Sequence, residues 1–181
     1  MTSKSELRAE MRGLRKRLAA ADPLAGERVA GHAVDLPQGA CVALYRAMGS
    51  EMDPQALARA LVSAGRTLCL PVAVERDAAM VFRVWSPGEP LEMDAASCPA
   101  PLPLAAMVIP DLIVTPLLAF DGAGGRLGQG GGYYDRTFAA LPDIVRIGLA
   151  YAGQRVERLE TEPHDIRLHG VLTETGYTAF P

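Results

Sequence analysis

A glycine-rich segment at residues 121–136 constrains this chain more than any other feature of its sequence. It reads DGAGGRLGQGGGYYDR, and residues 122–132 contain seven of the 18 glycines of the chain. Glycine has no Cβ atom, so its backbone can adopt positive φ angles and approach a ligand closely. An apolar run typical of a buried strand precedes the segment, and a helical pattern follows it. We therefore expect a loop that leads from a strand into a helix.

A loop of this kind can bind an anion. Consecutive backbone N–H groups can point inward, and the N-terminus of the following helix adds a positive potential. In an open α/β sheet, ligands bind beyond the carboxyl ends of the strands, which is where this loop begins. Arg126 favours phosphate binding, since a guanidinium group can hold phosphate oxygens. The alternative is a flexible turn with a structural role only.

The loop matches neither of the common nucleotide-binding motifs. It lacks the Gly-Lys-Ser/Thr ending of a Walker A loop, and Tyr133 stands where a G-x-G-x-x-G motif has its third glycine. Tyr133 and Tyr134 can each stack on an aromatic ligand or belong to the core of the following helix. Asp135 lies in the first turn of that helix, where a carboxylate can interact with the helix dipole or bind Mg²⁺.

The rest of the chain predicts an α/β fold. A capping box formed by Ser3 and Glu6 predicts the start of a first helix. Further helices are predicted at residues 23–34, 54–64 and 132–141, and strands at residues 41–45, 67–74, 80–85, 111–116, 145–150 and 171–173. Residues 86–110 are rich in proline and lack periodicity, which predicts a long loop. Alternating strands and helices indicate a Rossmann-like, mostly parallel sheet flanked by helices in three layers.

Composition and charge exclude several classes of protein. The 181 residues suit one domain over residues 1–181, and a net charge of −3 argues against nucleic-acid binding through overall charge. The three cysteines are far apart in sequence, so we expect buried thiols rather than a disulfide framework or a zinc site. The N-terminus is basic and polar, unlike a signal peptide, and four prolines interrupt the apolar residues 101–120. We expect a cytoplasmic protein, monomeric or weakly dimeric, without a membrane partner.

Residues 116–136 resemble the signature of the 5-formyltetrahydrofolate cyclo-ligase family, whose members are also called methenyltetrahydrofolate synthetases. Other blocks resemble this family in the same order: KSELR at residues 4–8, VALY and EMD at 42–45 and 51–53, GRTLCLPV at 65–72, IGLAYAGQ at 147–154 and EPHD at 162–165. The resemblance covers nearly the whole chain. The fold it implies is similar to that of the sugar-phosphate isomerase and CoA-transferase group.

The resemblance implies a ligase of folate and one-carbon metabolism that depends on ATP and Mg²⁺. In this reaction 5-formyltetrahydrofolate, with or without a polyglutamate tail, and ATP give 5,10-methenyltetrahydrofolate, ADP and phosphate. The formyl oxygen attacks the γ-phosphate, N10 of the folate attacks the resulting imidate phosphate, and phosphate leaves. The protein mainly positions the reactants and neutralises charge.

The resemblance also implies the residues of the site. Catalytic roles fall to Lys4, Arg126 and Tyr133. Asp135 and Asp165 match the Mg²⁺ ligands. The residues that match ATP-binding positions come from the start of the chain and from the glycine-rich segment: Lys4, Ser5, Glu6, Leu7, Arg8, Arg126, Leu127, Gly128, Gln129, Gly130, Gly131, Gly132, Tyr133 and Tyr134.

The folate site is implied at Arg46 and Glu51. A carboxylate such as that of Glu51 can accept paired hydrogen bonds from the amino and ring N–H groups of a pterin. Residues 93–106 depart from the family pattern, which leaves an alternative open: a nucleotide-binding relative with an altered folate pocket, acting as a regulatory module or on another substrate. For His164 a surface or core position is expected, since its spacing to His169 does not suit a two-histidine metal site.

Overall fold

The computed structural model describes residues 3–160, 162 and 165–181, and so leaves out His164 and the expectation attached to it. Within these residues the helices are α1 (Lys4–Ala21), α2 (Ala25–Gly31), α3 (Gln55–Ser63) and α4 (Tyr133–Ala140). The strands are β1 (Cys41–Ala43), β2 (Thr67–Val72), β3 (Val81–Val84), β4 (Leu91–Met93), β5 (Pro99–Pro101), β6 (Leu112–Pro116), β7 (Ala119–Phe120), β8 (Arg126–Leu127), β9 (Val145–Leu149), β10 (Gly170–Thr173) and β11 (Gly176–Ala179). Short 3₁₀ turns lie at Ala33–Asp35 and Ala152–Gln154.

Seven strands form the main sheet in the order β11-β10-β9-β6-β1-β2-β3. The five central strands are parallel, while β3 and β11 pair antiparallel at the two edges. The predicted mostly parallel sheet is therefore confirmed. The carboxyl ends of these parallel strands lie at the same edge of the sheet, and β1 and β6 are neighbours although 70 residues separate Cys41 from Asp111 at their amino ends.

The sheet is buried on both faces, which makes the domain three layers thick. Side chains alternate along each strand, so neighbouring residues reach opposite faces. Val42 packs with Val29 of α2 and Leu57 of α3, whereas Ala43 packs with Phe138 of α4. Apolar residues at successive positions of the central strands are therefore required, as the sequence shows.

The predicted long loop at residues 86–110 is wrong in part, because β4 and β5 form an antiparallel hairpin there. The Asp94 carboxylate organises its turn, since it accepts hydrogen bonds from the amides of Ala96 and Cys98, each at 2.9 Å. A further bond from the Ala73 amide, at 2.8 Å, fastens the hairpin to the end of β2. Strands of three residues are too short to show a sequence period, and their pairing depends on this distant contact.

Smaller differences concern the ends of elements and the glycine-rich segment. The segment is not a loop throughout, because β8 within it pairs with β7 just before it as a short hairpin. The second helix stops at Gly31, and the first strand stops at Ala43. Strand β11, which is not predicted, pairs with β10 after a tight turn. In the part of the chain that the structure describes, no helix combines the length and apolarity needed to cross a membrane.

Candidate active site

A cavity of about 610 Å³ opens at the carboxyl ends of the central strands. Tyr45 and Arg46 reach it from the end of β1, Pro71 from β2, and Pro116 and Leu117 from the end of β6. The other walls are the first half of α1, the glycine-rich loop and the β4–β5 hairpin. This is the edge at which an open α/β sheet binds its ligands.

Asp121 fixes the start of the glycine-rich loop. Its Oδ1 accepts hydrogen bonds from the amides of Ala123 at 2.9 Å and Gly125 at 2.8 Å, and its Oδ2 accepts one from Leu159 at 2.9 Å. Burial works against the charge of this carboxylate, but the three amides outweigh it and lower its pKa. The Asp-Gly pair is a sequence signal for such a turn, although the bond to Leu159 is not predictable from it.

Residues 128–132 of the loop line the cavity. Among the described residues, no acceptor takes a hydrogen bond from the five amides of residues 128–132. Gly132 has a φ of 69° and forms the N-cap of α4, which suits glycine because a left-handed conformation carries little strain without a Cβ. Amides without a protein acceptor at the N-terminus of a helix favour an anion, and anion binding by this loop stays a prediction.

Helix α1 closes over this loop. Arg8 Nε donates to the Gly128 carbonyl at 3.1 Å, and Arg12 Nε donates to Gln129 Oε1 at 2.9 Å. Lys4 also lines the cavity. Arg12 is a contact that the sequence does not predict, although it lies one turn from Arg8 on the same face of the helix.

The Lys4 ammonium group lies between two carboxylates near the other end of the chain. Its Nζ is 2.9 Å from Glu162 Oε2 and 3.0 Å from Asp165 Oδ2. Partial burial lowers the pKa of Lys4, but hydrogen bonds to these carboxylates raise it overall, so the group is a cation at neutral pH. The predicted catalytic lysine and the predicted metal ligand Asp165 are thus brought together.

The residues after Lys4 differ in their positions. Leu7 and Arg8 line the cavity, as predicted for ATP-binding residues. Ser5 and Glu6 are exposed and do not line it, and the Glu6 carboxylate completes the predicted capping box by accepting from the Ser3 amide at 2.7 Å. Contact of Ser5 and Glu6 with ATP stays a prediction.

Arg126 is a buried cation at the cavity. Its Nη2 lies 2.7 Å from Asp135 Oδ1, and its guanidinium lies over the rings of Tyr134 and Phe138 at 5.7 and 5.6 Å. Within the described part of the chain, the buried Arg126 Nε has no hydrogen-bond partner. A buried donor without a partner is costly. The two predicted residues Arg126 and Asp135 are therefore in direct contact.

The two tyrosines take different roles. Tyr134 packs against Phe138, with ring centroids 5.9 Å apart, and burial raises the pKa of its hydroxyl. Tyr133 lies at the rim, where the Arg136 guanidinium covers its ring at 5.0 Å. Both line the cavity, so the core alternative holds for Tyr134 without removing it from the site.

Glu51 lines the same cavity from the segment after β1. Its Oε2 accepts from the Met48 amide at 3.0 Å, and its Oε1 is 3.7 Å from Arg15 Nη1. Burial raises the pKa of this carboxyl group, while the Met48 amide and Arg15 oppose the shift. Arg46, the other predicted folate contact, places its guanidinium over the Trp85 ring at 5.8 Å.

The β4–β5 hairpin contributes residues that the sequence does not predict. Asp94, Ala96, Cys98 and Pro99 line the cavity, and Cys98 Sγ contacts Met48 Sδ at 3.6 Å. Residues 93–106, which depart from the family pattern, thus still build a wall of the same cavity. Burial, followed by the charges of nearby carboxylates, raises the pKa of the Cys98 thiol.

Fold and site together define an α/β protein with a glycine-rich loop beside a cavity that holds a buried carboxylate. Comparison with known proteins gives the family. The model of the 5-formyltetrahydrofolate cyclo-ligase family matches residues 1–174, and the chain belongs to this family. Enzymes of this family convert 5-formyltetrahydrofolate to 5,10-methenyltetrahydrofolate and use ATP, so the predicted ligase reaction is supported.

Individual relatives agree with this assignment. The chain is 33% identical to the 5-formyltetrahydrofolate cyclo-ligase of Haemophilus influenzae over 180 residues, which cover 93% of this chain and 96% of that protein. It is 36% identical to the cyclo-ligase of Escherichia coli K12 over 142 residues, which cover 73% and 76% of the two chains. The 5,10-methenyltetrahydrofolate synthetase of Aquifex aeolicus superposes with a TM-score of 0.80 at 30% identity, covering 97% of this chain and 92% of that one.

The described residues are compatible with a magnesium ion held jointly with a nucleotide. Among them, no cluster of three or more His, Cys, Asp or Glu side chains is arranged to hold a metal by itself. Asp135 and Asp165 both line the cavity, and Mg²⁺ in nucleotide sites is commonly bound by one or two carboxylates together with phosphate oxygens and water. The donor set therefore fits Mg²⁺ that arrives with ATP.

Proposed function

We propose that the glycine-rich loop binds the triphosphate of ATP and that the Glu51 side of the same cavity binds the pterin of 5-formyltetrahydrofolate. The observation that carries this proposal is the row of five amides at residues 128–132 without a protein acceptor, next to the buried Arg126. Amides fixed at a helix N-terminus favour phosphate oxygens, because no reorganisation is needed when the charge arrives.

Positive charge around the loop supports the assignment. Lys4 and Arg8 come from α1 and Arg126 from β8, so cations reach the cavity from two sides. Phosphoryl transfer depends mainly on positioning and on neutralising the oxygens of the transferred group. In this proposal Lys4 and Arg126 hold the γ-phosphate, and Arg8 holds the loop that carries the amides.

The pterin assignment depends on the orientation of Glu51. The carboxylate is fixed by the Met48 amide and by Arg15, and the neighbouring wall is formed by the thiol of Cys98 and the ring of Pro99. An apolar wall beside an oriented carboxylate suits a flat heterocycle with an edge of N–H donors. The folate then lies across the cavity with its formyl group toward the loop.

In this arrangement, the chain holds the formyl oxygen near the γ-phosphate and excludes water from the imidate phosphate that forms. N10 of the same folate then attacks the formyl carbon of this imidate phosphate, and phosphate leaves. Asp135 and Asp165 would hold Mg²⁺, which neutralises phosphate oxygens when bound. Tyr133 stands at the rim, where its hydroxyl can contact the triphosphate.

A direct test separates the two halves of the site. Wild-type protein should form one ADP for each methenyl product, which absorbs in the near ultraviolet. Glu51→Gln should raise the KM for 5-formyltetrahydrofolate by about tenfold or more while the Kd for ATP stays nearly constant, since only the folate loses a charged acceptor. Glu10→Gln, an exposed position on α1, is the matched control.

Two results would count against the proposal. If wild-type protein hydrolyses ATP without forming the methenyl product, the protein does not carry out the folate reaction. If Glu51→Gln leaves the folate KM unchanged, Glu51 does not bind the pterin, whereas the proposed nucleotide site is unaffected by this result.

A further inference from the structure

Arg15 is a buried arginine in the wall of the same cavity. Its side chain is 6% exposed, and it lies on α1 four residues after the buried Met11. A buried cation is costly unless it is paired and hydrogen-bonded. Burial lowers the pKa of Arg15, and the nearby Glu51 carboxylate opposes that shift.

The guanidinium is held by fixed elements of the fold. Its Nη1 donates to the Leu117 carbonyl at 3.2 Å, and its Nε donates to Ser50 Oγ at 3.2 Å. The buried Gln154 donates to the same Leu117 carbonyl at 2.9 Å and therefore fixes the acceptor. Leu117 follows β6 directly, so the position of the guanidinium is set by the end of the sheet and by α1, not by Glu51 alone.

Glu51 depends on Arg15 in turn. Within the described residues, Arg15 is the one cation within 4 Å of the Glu51 carboxylate. The carboxylate is on a loop, and its other contact is the backbone amide of the solvent-exposed Met48 on the same loop. Of the two contacts, Arg15 is therefore the one that is anchored to the sheet, through the Leu117 carbonyl.

We propose that Arg15 is a positioning residue for folate binding, which orients the Glu51 carboxylate toward the pterin and keeps it charged. This proposal rests on the proposed pterin contact of Glu51. It goes beyond that contact, because it assigns the orientation of the folate site to a residue of the helix that also closes over the nucleotide loop.

The charge effect has a defined sign. Four ionisable groups face Glu51 from the surrounding elements: Arg15 from α1, Tyr45 after β1, Cys98 before β5 and Tyr134 from α4. Burial raises the pKa values of the two tyrosines and of the thiol, so these three groups stay uncharged at neutral pH and below, and Glu51 is the group whose charge depends on Arg15. Loss of Arg15 removes a charge that lowers the Glu51 pKa, and the carboxyl group then protonates at higher pH.

The test compares folate KM, ATP KM and kcat for Arg15→Gln and Arg15→Lys between pH 5.5 and 8, with ATP saturating in the folate titrations. Arg15→Gln should raise the folate KM by about tenfold at pH 6 and by a smaller factor at pH 8, with little change in the ATP KM. Arg15→Lys should restore part of the folate affinity. Arg17→Gln, an exposed position on the same helix, is the control, and melting temperatures report folding.

A double variant identifies the route of the effect. If Arg15 acts through Glu51, Arg15→Gln combined with Glu51→Gln should have the folate KM of Glu51→Gln alone. Additive losses, or equal losses of folate and ATP affinity at every pH, would overturn the positioning role while the pterin contact stands. An unchanged folate KM in Glu51→Gln alone would overturn both.

Discussion

The Arg126 guanidinium lies 2.7 Å from the Asp135 carboxylate, and this ion pair joins the two ends of the glycine-rich loop. Arg126 belongs to β8, before the row of amides, and Asp135 to the first turn of α4, after it. Because the arginine side chain is only 5% exposed, the pair is poorly screened by solvent. The loop is therefore closed by a short ion pair before any nucleotide binds.

Replacing Arg126 should remove activity and leave the fold intact. Arg126→Ala should lower kcat by more than about 100-fold, because the charge on the transferred phosphate loses a fixed cation. Arg146 covers the same Phe138 ring at 5.9 Å, outside the cavity, so Arg146→Ala is a matched control that should keep activity. Steady-state rates measure the loss of activity, and circular dichroism shows whether the fold is intact. Full activity in Arg126→Ala would contradict the proposed role of the loop.

Lys4 should matter for ATP, whereas the other lysine of the chain should not. Lys4 and Lys16 both lie on α1, but only Lys4 lines the cavity. Lys4→Met should raise the ATP KM by about tenfold or more, since a partly buried cation at the phosphate site is lost. Lys16→Met should leave the ATP KM as in wild type. Equal effects of both substitutions would point to the net charge of the helix instead.

Gly124 should tolerate no side chain. It has a φ of 81°, and a Cβ there would lie 2.6 Å from the Leu168 carbonyl oxygen, which is backbone and cannot move away easily. Gly65 has a φ of 80° with no atom within 4 Å of the same point. Gly65→Ala should therefore cost about 1 kcal/mol from backbone strain alone. Gly124→Ala should cost more than about 3 kcal/mol, because strain and overpacking add.

Urea unfolding of the two glycine variants provides the measurement. Similar free energies of unfolding for both variants would show that Gly124 and Leu168 do not approach each other as described. The comparison is informative because the two glycines share a backbone conformation and differ only in their surroundings.

Cys98 should be the thiol that reacts in the folded protein. Cys41 and Cys69 are buried, with their sulfur atoms 3.8 Å apart on neighbouring strands, while Cys98 is partly exposed at the cavity. Burial raises the pKa of all three thiols, so reaction with a disulfide reagent should be slow at pH 7 and rise about tenfold per pH unit up to the Cys98 pKa. Bound 5-formyltetrahydrofolate should slow it further.

Thiol titration of wild type and Cys98→Ser provides the check. The variant should show no rapid reaction before unfolding. Reaction of two thiols in folded wild type would contradict the burial of the strand cysteines. A rate that folate does not change would place the hairpin outside the folate site.

Local patterns explain why most of the fold is predictable from the sequence. The parallel strands are apolar at successive positions because both faces of the sheet are covered, and the capping box marks the start of α1. The glycine-rich loop is predictable because many glycines in one short segment favour a loop, since a backbone without Cβ atoms can adopt positive φ angles and approach a ligand. The hairpin of β4 and β5 is not predictable, since its short strands depend on the contact between Asp94 and Ala73.

The candidate site, like the fold, is only partly predictable from local sequence patterns. The loop's anion-binding character follows from glycines and Arg126, whereas the roles of Lys4, Glu51 and Asp165 are implied only by the family resemblance. Arg15 carries a weak signal, because it falls on the apolar face of a basic helix, four residues after Met11. Its pairing with Glu51 joins two segments that no local pattern connects.

The pairing of Lys4 with Asp165 spans 161 positions of the chain. A nascent chain that stops short of Asp165 therefore lacks a carboxylate that Lys4 contacts in the folded domain. This pairing forms only after residue 165 has left the ribosome, so helix α1 must wait for its partner while the strands between them are made.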